Sequence, residues 1–186
     1  MLADEWARVF GNCAPAGFLC RVAMSDRWLR IHSLPESKRY ASRESDYAVI
    51  LGRHNEVADE LLGEGEPIVI FRGQFITTRS SVLPSDLPGV GVDTFRVDAL
   101  TTEVPAMERL IGFVAAETRW KAGEFDTLIR ARSDDVVGPL LFANLGRRTA
   151  YAPYDGGADL FFATAAERDA ARIRWGDWLS KHPDGV

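Results

Sequence analysis

The chain is predicted to be an α+β protein: an antiparallel or mixed sheet with helices packed on it, closing with a C-terminal three-strand meander and a final helix. Three observations lead there. Apolar residues at helical spacing and apolar residues in strand patterns occur along the same chain. Short strand-like segments follow one another late in the sequence across turn-forming residues, which favours antiparallel pairing. Strict strand–helix alternation is absent, which disfavours a doubly wound parallel sheet.

Taken in order, Leu2, Trp6, Val9 and Phe10 recur at helical spacing, and Gly11-Asn12 ends that run. Residues 27–32 alternate as a strand, with Leu29 and Ile31 on one face and Trp28, Arg30 and His32 on the other. Residues 34–39 read as a loop. A helix is expected from about Ser45 to Leu62. Its apolar stripe runs through Tyr47, Ile50, Leu51, Val57, Ala58, Leu61 and Leu62, His54 lies inside the stripe, and Gly63 stops it. The continuous apolar run Ile68–Phe71, within residues 67–72, predicts a central strand buried on both faces.

From Gly73 to Pro105 the pattern weakens, broken by Pro84, Pro88, Gly89 and Gly91. Short strands are expected near residues 75–77 and 94–97, and the role of the segment is left open. Residues 110–120 resume as a strand and residues 124–132 as a helix, with Phe125, Leu128 and Ile129 on one side. The meander comprises residues 140–143, 149–152 and 159–162. Its two connections, 144–148 and 154–157, carry Asn, Asp and Gly, which tolerate the positive φ of tight turns. Thr164-Ala-Ala-Glu167 is a capping box opening a helix that runs to about Leu179, buries Ala171, Trp175, Trp178 and Leu179, and is closed by Pro183. No repeat or linker divides the chain, so residues 1–186 are expected to form one domain.

Composition narrows the class. Hydrophobic residues make up 46% and charged residues 26% of the 186, which are globular values. The net charge of -5 suits a soluble protein and disfavours nucleic acid as a partner. No apolar run approaches the roughly 20 residues that cross a bilayer, and residues 1–10 do not resemble a secretory signal, so a cytoplasmic location without membrane contact is expected. Cys13 and Cys20 match no zinc spacing and read as two reduced thiols, not a metal or redox site.

The standard catalytic signatures are missing. There is no phosphate-cradling Gly-x-x-x-x-Gly-Lys loop, Gly89-Val-Gly91 lacks a third glycine, and neither Gly-x-Ser-x-Gly nor His-Glu-x-x-His is present. His32, His54 and His182 show no ligand spacing. No metal and no cofactor is therefore expected.

One segment stands out. Arg27, Arg30, Lys38, Arg39, Arg43 and Arg53 outnumber Glu36, Glu44 and Asp46 in an otherwise acidic chain. A local basic excess suits a phosphate, a carboxylate or an acidic partner surface. The candidate anion-binding residues are Arg30, His32, Lys38, Arg39, Arg53, His54, Tyr151 and Asp155, provided the early basic loop meets the late hairpin. Competing readings attach to several of them. Arg and Lys stems commonly cover apolar surface. His54 on an apolar stripe is by default a satisfied core histidine. A hairpin accounts for Asp155-Gly156-Gly157, although its free N–H groups and the carboxylates of Asp155 and Asp159 would also hold a ligand. Of the tryptophans, 175 and 178 read as core, and 28 and 120 as partly exposed strand residues.

Two stretches carry a resemblance: Arg30-Ile-His32-Ser-Leu-Pro35-Glu-Ser37-Lys38-Arg39-Tyr40 with Arg53-His54-Asn55, and Tyr151-Ala-Pro-Tyr154-Asp155-Gly-Gly-Ala-Asp159 with the capped helix ending Asp177-Trp178-Leu179. Together they resemble an uncharacterised bacterial family known only as a domain of unknown function, with a Tyr-Asp turn and a following Asp before its last helix. The resemblance implies a bacterial cytosolic protein and supplies no catalytic residues. The function expected from the sequence is non-catalytic binding, of the toxin-neutralising (immunity) type. The alternative is an enzyme acting on an anionic or phosphorylated small molecule, with Asp155 as its base. A protein partner, an anionic small molecule and self-association all remain open.

Overall fold

The computed structural model describes residues 1–76, 87, 90, 94–104 and 109–179. Its centre is an eight-stranded antiparallel sheet. The strands are β1 (Trp28–His32), β2 (Pro67–Ile76), β3 (Thr94–Arg96), β4 (Thr102–Val104), β5 (Arg109–Arg119), β6 (Leu140–Asn144), β7 (Thr149–Tyr154) and β8 (Gly157–Phe161). Their order is β1-β8-β7-β6-β2-β5-β3, and β4 also pairs with β5. The continuous apolar run is β2, a central strand hydrogen-bonded to β5 and β6.

Alternation along each strand splits the core in two, because successive side chains leave opposite faces. Ile68, Ile70, Leu140, Phe142, Tyr151 and Leu160 point to one face. There they meet α3 (Glu44–Leu62), α4 (Asp126–Ser133) and α5 (Ala165–Arg174). Val69, Phe71, Leu141, Ala143, Ala150 and Phe161 point to the other, against α1 (Leu2–Phe10) and α2 (Gly17–Ala23). Both faces are covered, so Ile70 and Phe71 have no accessible surface though they are neighbours. Each such side chain contributes roughly 1.5–3 kcal/mol by leaving water.

The helices follow from their sequences. α1 buries Trp6 and Phe10, leaves Asp4, Glu5 and Arg8 in water, and stops at Gly11. α3 stops at Gly63, whose φ of 80° suits a residue without a Cβ. The Thr164–Glu167 capping box is formed in both directions, but α5 ends at Arg174 and a single 3₁₀ turn, Gly176–Trp178, completes the segment. His182 and Pro183 lie outside the described residues, as do Pro84, Pro88, Gly89, Gly91 and Pro105.

Several expectations need correction. α2 is an additional helix, a seven-residue segment without a capping side chain, and β4 an additional strand. Trp120 is fully buried, its ring stacked on Phe125 and its Nε1 donating to Asp59 (3.1 Å). Tight turns join the meander, but not through positive φ at Asn, Asp or Gly. In the first it is Arg148 that adopts φ 61°, and neither Asp155 nor Gly156 does so in the second. Glycine is needed at 157 for closeness: a Cβ there would lie 1.9 Å from the Ile31 carbonyl oxygen. That approach sets β8 against β1 and so positions the site.

Candidate functional site

Strand β1 carries Trp28, Arg30 and His32 on the α1/α2 face, and its register sets Arg30 opposite Asp159 and His32 opposite Gly157. The Arg30 Nε donates to Asp159 Oδ1 (2.8 Å) and its Nη2 to Oδ2 (3.2 Å); the Trp28 Nε1 donates to the same Oδ1 (2.9 Å). The Arg30 guanidinium lies 4.9 Å from the Tyr154 ring centre and 5.4 Å from that of Trp28. This bidentate pair is largely desolvated, with side-chain exposures of 13% and 4%. Burial works against the charge on Arg30, but the hydrogen bond to Asp159 and that carboxylate's charge outweigh it and raise its pKa. Burial pushes the Tyr154 phenol up to about 12, so it stays neutral at pH 7.

The loop after β1 is held in an uncommon backbone. Glu36 and Ser37 both adopt φ 57°, the left-handed region that costs non-glycine residues of order 1–3 kcal/mol. Beyond it the cations diverge. Lys38 turns to Asp46 (Nζ–Oδ2 2.5 Å), which also accepts the Ser42 N–H. Those bonds, Lys38's first, lower the Asp46 carboxyl to about 2. Arg39 crosses to the late hairpin and pairs with Asp155 (2.7 Å), which also accepts the Tyr40 hydroxyl (2.8 Å).

The remaining sequence-predicted residues lie elsewhere. Arg53 donates to the His32 carbonyl (2.9 Å) and stacks over Trp178. His32 is half-buried and 3.5 Å from the Ser37 hydroxyl; burial, then Arg30 and Arg53, lower its pKa. His54 and Tyr151 are on the opposite face of the sheet, both fully buried. The His54 Nε2 bonds the Ser33 hydroxyl (2.7 Å) and its Nδ1 the Tyr151 hydroxyl (2.6 Å). Burial, then Arg53, drives His54 down to about 3, and burial drives the Tyr151 phenol up. This trio is a closed, neutral core network.

On the α1/α2 face a cleft of about 590 Å³ opens beside Arg30. Arg30, Arg39, Arg132, Asp159 and Tyr154 line it together with Phe18, Phe75 and the loop Val136–Pro139. Arg132, at the end of α4, donates through Nη1 to Asp135 (2.5 Å) and to the Val137 carbonyl (3.0 Å), while its Nε is buried without a hydrogen-bond partner among the described residues. Two of the sequence-predicted residues, Arg30 and Arg39, thus line the cleft, and Asp155 touches it through Arg39. Arg132, Phe18 and Phe75 are not in the sequence-predicted set, and no local pattern marks them. Tyr154 had a signal: it shares the parity of Ala150 and Ala152 on β7, which places it with Asp159. Among the described residues no group of three or more His, Cys, Asp or Glu side chains is arranged to hold a metal ion, and no helix is long and apolar enough to cross a membrane.

A family model described as Domain of unknown function (DUF3885) matches residues 17–183, spanning the middle of the chain as well as both stretches that carry the resemblance. The chain belongs to this family. No curated protein and no solved structure matches it. All the cleft-lining side chains named above lie within the matched span.

Proposed function

We propose that this chain is a non-catalytic binding protein whose ligand is a small anion carrying a flat apolar group, seated in the cleft beside Arg30. The observation that carries the reading is the lining itself: the guanidinium groups of Arg30, Arg39 and Arg132 stand around a hollow walled by Phe18, Phe75 and Tyr154. Guanidinium suits carboxylate and phosphate oxygens, and ring faces suit a planar apolar body. Its volume falls within the range typical of small-molecule sites, which favours such a ligand over a protein partner.

Binding is favoured over catalysis by what the lining omits. Among the described residues it contains no His, Ser, Cys or Lys. The Asp159 carboxylate already accepts from Arg30 and Trp28, and the Tyr154 phenol holds its proton far above neutrality. The other carboxylate in the lining, Asp135, is likewise engaged, by the Arg132 guanidinium, so neither carboxylate among the described lining residues is free to act as a general base.

The test is calorimetric titration of the purified chain with phenyl phosphate, inorganic phosphate and benzyl alcohol. Phenyl phosphate is expected to bind more tightly than either fragment, and Arg132→Gln to weaken it roughly tenfold, as loss of one charged hydrogen bond implies. Equal affinity for benzyl alcohol, or an Arg132→Gln variant indistinguishable from wild type, contradicts the reading. Release of phosphate from phenyl phosphate replaces it with the enzymatic alternative.

A further inference from the structure

Cys13 lies in the loop between α1 and α2, and Cys20 lies within α2. Their seven-residue separation suggests no chemistry in sequence, but the fold brings their Sγ atoms to 3.5 Å while both remain free thiols. The loop is pinned in place: the Trp6 indole donates to the Cys13 carbonyl (2.7 Å), and the Cys20 thiol sits 3.3 Å from the Ala14 carbonyl. The two sulfurs differ in access. Cys20 is completely buried, whereas Cys13 is half-buried and lines a separate pocket of about 310 Å³ at the foot of α1.

We propose that Cys13 and Cys20 form a hydroperoxide-reactive dithiol, in which Cys13 is oxidised first and Cys20 closes the disulfide. In the first step the Cys13 thiolate attacks one oxygen of hydrogen peroxide. The O–O bond breaks, hydroxide leaves and takes up the thiol's proton as water, and Cys13 becomes a sulfenic acid. In the second, the Cys20 sulfur attacks the Cys13 sulfur. The S–O bond breaks, hydroxide departs, and the Cys20 proton converts it to a second water. Two thiols and one peroxide thus give one disulfide and two waters. Closure requires the sulfurs to approach by about 1.5 Å, toward the roughly 2.05 Å of a disulfide.

The division of labour follows from the surroundings. The hydrogen bond with Cys20 lowers the Cys13 pKa against the effect of burial, with a smaller contribution from Arg27. Its partner is raised, by the same contact and by burial, so Cys20 keeps its proton until the sulfenic acid is made. A small oxidant reaches Cys13 through the pocket, and none reaches Cys20 directly. The family match begins at Gly17, so it takes in Cys20 and stops short of Cys13.

The experiment treats the reduced full-length protein with hydrogen peroxide and reads intact mass and peptide maps. The expected product is a monomer lighter by about 2 Da, with residues 13 and 20 bridged and restored by dithiothreitol. Cys20→Ser should stop at a Cys13 sulfenic acid that dimedone traps, and Cys13→Ser should lose thiol roughly tenfold more slowly than wild type. Sulfinic acid at Cys13 of the wild type, disulfide-linked dimers with no internal bridge, or a Cys13→Ser variant that reacts at the wild-type rate overturns the proposal. The wild-type peptide map decides the matter even if a variant fails to fold.

Discussion

Ser33 follows His32 at the end of β1, and Tyr151 precedes Ala152 on β7, yet polar groups meet different fates on the two faces of this sheet. On the α3 face, Ser33, His54 and Tyr151 are sealed from water, neutral and bonded to each other. On the α1/α2 face, Trp28, Arg30, Asp159 and Tyr154 form a charged cluster that opens on a cleft. The difference teaches that a histidine and a tyrosine in bonding distance do not make a site. What separates a sealed core network from a candidate site here is whether charge survives burial and whether solvent can reach it.

The contrast is sharpest in its response to acid. His54 is about 3 when folded and near its ordinary 6.5 when unfolded. Between those values the unfolded chain takes up a proton and the folded one does not. Its contribution to stability is therefore complete above pH 6.5 and lost as pH falls toward 3, at about 1.4 kcal/mol per pH unit and roughly 5 kcal/mol in all. Urea unfolding across that window should show a shallower decline in His54→Gln than in wild type. Parallel curves would break the picture of a neutral core histidine.

The charged face is expected to fail differently. Asp159→Ala leaves Arg30 buried without its carboxylate and should cost about 3–5 kcal/mol, whereas Arg30→Met with Asp159→Leu should recover much of that loss. Denaturant midpoints of the two variants check this; a double variant no more stable than the single one would mean the pair is not behaving as a buried ion pair. Tyr151→Phe removes only one partner of His54 and should cost about 1–3 kcal/mol while leaving the cleft's affinity for phenyl phosphate unchanged. Arg39→Ala should change stability least, leaving the thermal midpoint close to wild type, because its side chain is 63% exposed and solvent screens the ion pair. A larger loss in thermal unfolding would show that the Arg39–Asp155 contact holds the hairpin and not the cleft.

Periodicity made much of this fold legible. α1 and α3 follow their apolar stripes, β2 its continuous apolar run, and α5 its Thr164–Glu167 box. α2 escaped because Phe18, Leu19, Cys20, Val22 and Ala23 are apolar nearly all round, which leaves no period to detect. β4 has three residues and no alternation of its own; it exists because β5 offers an edge. Trp120 misleads because it closes a charged stretch, Glu117 to Lys121, yet folds under Phe125 and Phe142.

The site was less legible than the fold, since its charges come from separate elements. Excess basic charge after residue 27 pointed to Arg30 and Arg39. Only the β1–β8 register, a long-range pairing, decides that Arg30 meets Asp159, and His54 lies away from them because α3 packs on the other face of the sheet. Arg132 comes to the cleft from the end of α4, and the two Phe walls from α2 and β2.

The most direct test of a ligand cleft on one face alone is a ¹⁵N–¹H spectrum of the chain titrated with phenyl phosphate. The account predicts shifts concentrated at Gly17, Phe18, Gly138 and Tyr154, with Ser33, His54 and the rest of α3 unmoved. Shifts centred on α3, or spread evenly over both faces, would contradict it.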